Sequence, residues 1–314
     1  MSMIDCYEPG FVRTFLSRNP GSPLSVRMTW QNEIRQSLLL TTPASCEAAL
    51  GDPQAFILHV SQCKAEPASL SLTPRDRVLN QAALHTVALP GLTPEVRLYT
   101  LGILLSWAEK QPGESDEALE RIAMLPHTLT NSALEGKLQE QFACLPAVPQ
   151  VQQELIRRLG NIDFDWQILA ESTRKHTLPL QMSLLALQDA NSETRLWQQL
   201  QKQWHITYQT TFAQQNWIFS NYLIYRLYHD AFPGAGGGNA SPLFFELATD
   251  FCLIRTLVSL WTLDGSLLSQ DDIYALFALV ERWRHGEDVA PLRQSLQNVL
   301  PADDLLSAFS LLTC

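Results

Sequence analysis

Apolar residues along most of this chain recur every three or four positions, the spacing that lays one buried stripe along a helix. Three helix starts stand out. Thr73-Pro74-Arg75-Asp76 supplies an N-cap, a proline at the first helical position and an acid in the first turn, and Val78, Leu79, Ala82 and Ala83 follow at helical spacing. Thr93-Pro94-Glu95 repeats the device ahead of Val96 to Trp107, and Ser269-Gln270-Asp271-Asp272 gives a capping-box-like start to Ile273 through Trp283. Further helices are predicted over Asp116 to Leu125, Ser132 to Cys144, Val151 to Leu159, Trp166 to Lys175, Leu178 to Gln188, Glu193 to Gln203 and Tyr208 to Phe232. Short connections are predicted at Pro90-Gly91, Pro112-Gly113, Pro126, Pro146 to Pro149 and Gly265. Leu98, Leu101, Leu105 and Trp107, and again Trp197, Leu200 and Trp204, read as packing faces. Strand-like alternation is confined to Ser37 to Thr41, too short to build a sheet by itself. The expected fold class is therefore all-α, a multi-helix globular bundle, with solenoid-like helix pairs as the other arrangement. Ser and Pro at Pro67 to Thr73 separate a short N-terminal element, residues 1–66, from a helical body, residues 67–314.

Composition narrows the function classes. The 314 residues are 46% hydrophobic and 17% charged, enough apolar material for a substantial core. A net charge of −10 argues against nucleic acid as a partner, because phosphate binding draws on clustered Lys and Arg. The longest apolar run, Phe251 to Leu263, is 13 residues long and contains Arg255, so it reads as a buried helix and no membrane partner is expected. The start, Met1 to Cys6 followed by Glu8-Pro9-Gly10, lacks the basic and apolar segments of a secretory leader, and a cytoplasmic location is expected.

Local motifs exclude more chemistry than they suggest. Cys6, Cys46, Cys63, Cys144, Cys252 and Cys314 lie at least 17 residues apart, so no loop gathers two thiolates and no metal site is expected. Cys144 and Cys252 read as small buried hydrophobes. The seven histidines form no HxxxH or HExxH pair, no serine sits in GxSxG, and no GKS or GKT follows a glycine loop. Gly234-Ala235-Gly236-Gly237-Gly238 follows a predicted helix rather than a strand, which makes it a surface loop rather than a nucleotide loop.

Charges inside apolar helices carry the candidate chemistry. Arg226 and Asp230 sit four apart in the run Tyr222 to Asp230, while Glu246, Asp250 and Arg255 punctuate Phe244 to Leu263. Burying an unpaired charge costs several kcal/mol, so these groups pair with one another or line a wet cavity. Packing the two helices with Asp250 and Arg255 facing Asn221, Arg226 and Asp230 satisfies that demand. It does so either as an ion-pair network that fixes helix register or as a pocket whose acids receive a cationic substrate or hold a cofactor.

Asn221 through Pro233, reading NYLIYRLYHDAFP, resembles the "NYL...R.F...FPF" segment of bacterial flagellin lysine N-methylases. Glu246 to Leu257 is similar to that family's late helix, and Phe277 to Trp283 to its closing "F.R" helix. Ser37 to Pro43 resembles its "SL.LSCP" segment, and Leu84-His85-Thr86, Arg97 to Gly102 and the opening Glu8 to Phe15 also fit. The resemblance spans about residues 30 to 285 and implies methylation of flagellin lysines by S-adenosylmethionine. By position and type it makes Asp230, Asp250, Tyr222 and Tyr225 candidate catalytic residues, and Asn221, Arg226 and Arg255 candidate cofactor-binding residues. Family members carry a cysteine-rich stretch thought to ligate an iron-sulfur cluster after the opening segment. Here Phe15 leads to Trp30 without a cysteine, and Thr42 stands where the family places a cysteine before proline. Those ligands are missing, which leaves two readings: a protein-lysine N-methyltransferase working without the cluster, or a noncatalytic helical module that keeps the flagellin-binding surface.

Overall fold

A computed structural model describes residues 3–65, 70–111, 113–148, 154–155, 157–170, 172–187, 190–234, 240–286, 289, 294, 298 and 303–313. The glycine run at 235–239 lies outside them, as do Pro112, Pro149, Cys314 and parts of the Pro67–Thr73 and Val151–Leu159 segments. The chain forms two compact units that interleave in sequence: residues 1–39, 48–145 and 217–244 make the first, and residues 40–47, 146–216 and 245–314 the second.

The described residues are mostly helical, as expected, but the first unit adds a four-stranded sheet that the all-α expectation lacks. Strands β1 (Met3–Pro9), β2 (Ser25–Thr29), β3 (Glu33–Leu38) and β4 (Leu58–Lys64) form a sheet in the order β2-β3-β1-β4, with helix α1 (Gly10–Arg18) following β1. β1 runs parallel to β3, pairing Cys6 with Ile34, and antiparallel to β4, pairing Cys6 with Ser61; β2 is antiparallel to β3. Ile4, Cys6 and Ile34 form the apolar cluster on one face. The sheet escaped the pattern because β4 is exposed along almost its whole length, because β2 is an edge strand of only five residues, and because β3 turns the charged residues Glu33 and Arg35 inward.

Helices supply the rest of this unit. They are the first-unit end of α2 (Pro43–Leu50), then α3 (Pro74–Val87), α4 (Pro94–Glu109), α5 (Asp116–Leu134) and α6 (Lys137–Ala143). The start of α3 is the capping box its sequence promised: the Thr73 hydroxyl accepts from Asp76 N–H, and the Asp76 carboxylate accepts from Thr73 N–H, both at 3.1 Å. Thr93 caps α4 in the simpler one-bond form. Pro126 does not interrupt the chain: it is buried inside α5, which continues to Leu134. The break falls instead at Gly136, whose φ of 75° permits the left-handed turn that separates α5 from α6. Cys144 and Trp107 are exposed, against the expectation of burial, since each occupies the outward side at the end of its helix.

In the second unit, α7 (Thr177–Leu185), α8 (Ala190–Thr207), α11 (Gln270–Arg284) and α12 (Asp304–Leu312) accompany most of α10 (Ala240–Thr262). The predicted buried helix at Phe251 to Leu263 is the second half of α10, where Phe251 to Trp261 are almost fully enclosed. Trp204 packs at 6.2 Å from Phe251 and 5.9 Å from Phe212. The Ser269–Asp272 capping box forms as expected. Two predicted helices are broken: among the described residues of Trp166 to Lys175 the helical part is a 3-10 turn, Trp166–Leu169, and Tyr208 to Phe232 opens with a π turn, Tyr208–Phe212, and a 3-10 turn, Ala213–Gln215. The helix proper, α9 (Trp217–His229), then belongs to the first unit. No helix among the described residues is long and apolar enough to cross a membrane.

Candidate functional site

α9 carries four of the sequence candidates, with Asp230 directly after its end, and is fastened to its unit by polar side chains. Asn221 Nδ2 donates to the carbonyls of Ala49 (3.1 Å) and Asp52 (2.8 Å), closing the C-terminal end of α2 and the loop after it. Tyr225 OH donates to Leu38 O at 3.0 Å, and Tyr228 OH lies within reach of Tyr7 O (3.0 Å) and Gln36 O (3.2 Å). His229 Nδ1 and Ser37 Oγ are hydrogen-bonded at 2.8 Å. One face of the helix is thus tied to the backbones of β1 and β3. Burial pushes the Tyr228 phenol far above its ordinary pKa, with the nearby Arg35 charge opposing, so it stays a neutral donor.

Arg226 and Asp230 form the ion pair their spacing implied, Nε to Oδ2 at 3.1 Å. Arg226 also donates to Tyr222 OH at 3.2 Å and lies 5.9 Å from the centre of that ring. Tyr222 and Arg226 are buried, whereas the Asp230 side chain is 29% exposed and is the accessible end of the chain of contacts. Tyr222, Arg226 and Asp230 are therefore brought together, with Asn221 and Tyr225 on the same helix.

Asp250 and Arg255 lie in the second unit, both buried. Arg255 donates to Leu312 O at 3.3 Å and to Cys252 Sγ at 3.7 Å, with its guanidinium 5.7 Å from the Phe251 ring centre.

Sequence reasoning missed a buried polar core in the first unit. Arg35 Nε donates to Glu33 Oε1 at 2.6 Å, and its NH1 donates to Asn80 Oδ1 (3.1 Å) and Tyr228 O (3.2 Å). The guanidinium is flanked by the rings of Trp30 and Tyr228 at 5.5 and 5.2 Å. Asn80 in turn donates to Leu227 O and Phe232 O, closing the end of α9. The available signal was two opposite charges two apart on a strand, which share a face.

Also missed was a surface cleft in the second unit with a volume of about 430 Å³, lined by Asp163, Phe164, Asp165, Trp166 and Gln167. Phe164 is buried and meets Trp166 edge-on at 5.3 Å and Trp283 at 6.0 Å. Asp165 is doubly engaged, accepting from Gln167 N–H at 3.1 Å and pairing with Arg282 at 3.0 Å. The alternation of acids and aromatics in Asp163-Phe164-Asp165-Trp166 was legible in the sequence but has no helical period.

An iron-sulfur cluster needs converging thiolates. Cys63 packs against the cluster that contains Cys6, but Cys46 is buried with its thiol donating to Leu40 O, Cys252 donates to Leu311 O, and Cys144 is exposed elsewhere. Among the described residues no three His, Cys, Asp or Glu side chains gather as a metal-binding group. The cysteines described do not fit a cluster, and no chemistry is routed through one.

Comparison with known proteins agrees with the sequence resemblance. The lysine-N-methylase of Salmonella choleraesuis (strain SC-B67) is 22% identical over 291 residues, 91% of this chain and 72% of that protein. The lysine-N-methylase of Salmonella typhimurium (strain LT2) is 21% identical over the same length and shares. No solved structure matches. The description "FliB lysine N-methylase C-terminal domain" applies to residues 80–299, which run from Asn80 on α3 through α9, α10 and α11. With more than half of its length matched in this way, the chain belongs to the FliB lysine N-methylase family.

Proposed function

We propose that the protein transfers a methyl group from S-adenosylmethionine to lysine side chains of flagellin, in the cytoplasm. Membership of the FliB lysine N-methylase family across residues 80–299 carries this reading, since the match includes the helices that hold all the candidate residues. In the reaction the lone pair of a neutral lysine amine attacks the methyl carbon. The carbon–sulfur bond breaks with its electron pair passing to sulfur, and the methylated ammonium then gives up a proton. An ordinary lysine is almost wholly protonated at neutral pH, so the protein must accept a proton or desolvate the amine. Asp230, the accessible carboxylate of the Tyr222–Arg226–Asp230 chain, is the proposed acceptor directly after α9. Asp250 is the corresponding group in the second unit; Asn221, Tyr225 and Arg255 hold the surrounding backbone in place, and Arg226 holds Asp230 and Tyr222.

Among the described residues only Cys6 and Cys63 come together, too few thiolates for a cluster, and that observation favours a second reading: a noncatalytic module that binds flagellin. Incubating the purified protein with flagellin and methyl-labelled S-adenosylmethionine, beside a pull-down, separates the two. Label on flagellin lysines supports the methylase. Binding without label supports the module. Neither result would sink both readings. With a net charge of −10, the association should also weaken as salt rises, since flagellin presents its lysines as cations.

A further inference from the structure

We propose that Asn80 is a positioning residue for the Asp230 carboxylate, clamping from α3 the turn on which that acid stands. The proposal goes beyond the methylase reading but rests on it, because there Asp230 accepts the proton. The turn needs a clamp. Asp230 directly follows the last residue of α9, its N–H donating to Arg226 O at 3.0 Å, and Ala231 comes next with a φ of 47°. That is the left-handed region, which a residue with a Cβ disfavours, and it persists only where the surroundings enforce it.

Ala231 is buried against Trp30 and Leu72. The Asn80 amide, itself 3% exposed, donates to Leu227 O at 2.9 Å and to Phe232 O at 2.7 Å. Those carbonyls stand on either side of Asp230 in the chain, so one amide group spans the turn and fixes both ends of it. Phe232 N–H closes the same span by donating to Leu227 O at 3.1 Å. The clamp is anchored in turn through its oxygen, which accepts from the Arg35 guanidinium at 3.1 Å. Two N–H donors and an acceptor on a short side chain are what a primary amide offers; a carboxylate has no donor and a hydroxyl has one. The Asp230 side chain is held separately, by Arg226 at 3.1 Å. Its carboxylate is therefore placed by two anchors, Arg226 on the side chain and Asn80 on the backbone, and a displacement of about 1 Å is enough to slow a reaction about a hundredfold.

The test compares Asn80→Asp, which keeps the size and removes both donors, and Asn80→Ser, which keeps one donor, with Tyr228→Phe, which loosens α9 elsewhere, at Tyr7 O and Gln36 O. Asn80→Ser decides the matter should Asn80→Asp not fold. Each protein carries ¹⁵N-labelled arginine, and the Arg226 Nε–H signal, assigned with Arg226→Lys, reports whether the bond to Asp230 is kept. Both Asn80 variants should speed solvent exchange of that proton about five- to tenfold, and Tyr228→Phe should leave it within about twofold. In methyl transfer to flagellin, kcat should fall about ten- to a hundredfold in the Asn80 variants with KM within about twofold, a split that a general loss of stability does not produce. Unchanged exchange in a folded Asn80 variant, equal acceleration in Tyr228→Phe, an unchanged kcat, or a loss carried by KM alone would each overturn the assignment. Absence of transfer by the unaltered protein rejects the methylase reading alone, because the Arg226 signal tests the clamp without it. Transfer by the unaltered protein beside an unchanged Arg226 signal in the Asn80 variants rejects the clamp alone.

Discussion

Replacing Arg35 with Met asks whether the buried polar core of the first unit holds α9 in position. The side chains of Arg35 and Glu33 are 8% and 3% exposed and 2.6 Å apart. Removing one member of such a pair strands the other charge and costs about 3 to 5 kcal/mol. Arg77, half exposed and 3.3 Å from the other Glu33 oxygen, keeps a partial countercharge, which places the cost near the lower bound, about 3 kcal/mol. At 1.4 kcal/mol per factor of ten, amide exchange in β3 and in α9 should accelerate about 100-fold. Hydrogen-exchange mass spectrometry resolves those segments from the second unit, which a single unfolding midpoint would merge with them. Adding Glu33→Gln to Arg35→Met removes the stranded charge and should restore about 2 kcal/mol of the loss. Acceleration below about threefold in the single variant, or a double variant as labile as the single, would show that the pair does not fasten this helix.

Other consequences follow from single contacts. A Cβ at Gly160 would collide with the backbone nitrogen and side chain of Ala186, so Gly160→Ala should destabilise the second unit by about 1–3 kcal/mol; a neutral effect in urea unfolding would contradict that packing. Hydrogen bonds from Ser266, and then from Arg174, hold the Asp264 carboxyl down at about 2, against an unfolded value of 3.8. Its contribution is therefore complete above about pH 4 and lost as pH falls through about 2, so the stability gap between Asp264→Asn and the parent should close across that window; a gap independent of pH would refute it. Cys144 is exposed, whereas burial, aided by Glu281, pushes the Cys46 thiol well up; under native conditions iodoacetamide should label Cys144 first and spare Cys46 and Cys252 until denaturant is added. Equal labelling of Cys46 and Cys144 would contradict the burial.

Helix starts were legible because capping is a local contract: Thr73 with Asp76 and Ser269 with Asp272 satisfy orphan N–H groups within four residues, whatever surrounds them. The Arg226–Asp230 pair was legible for the same reason, one helical turn being enough to define it. The sheet was not, because a strand is stable only through partners elsewhere in the chain, and β1 pairs with β4, Met3 opposite Lys64 and Pro9 opposite Leu58. Nor could periodicity show that Pro126 sits within a helix, or that Glu33 and Arg35 face inward to meet Asn80 and Tyr228. By itself the sequence determined where three capped helices begin, which charges share a turn and which family the chain resembles. Tertiary structure alone decided which charges are buried and which thiols are reachable, because each depends on residues distant in sequence excluding water from the same place.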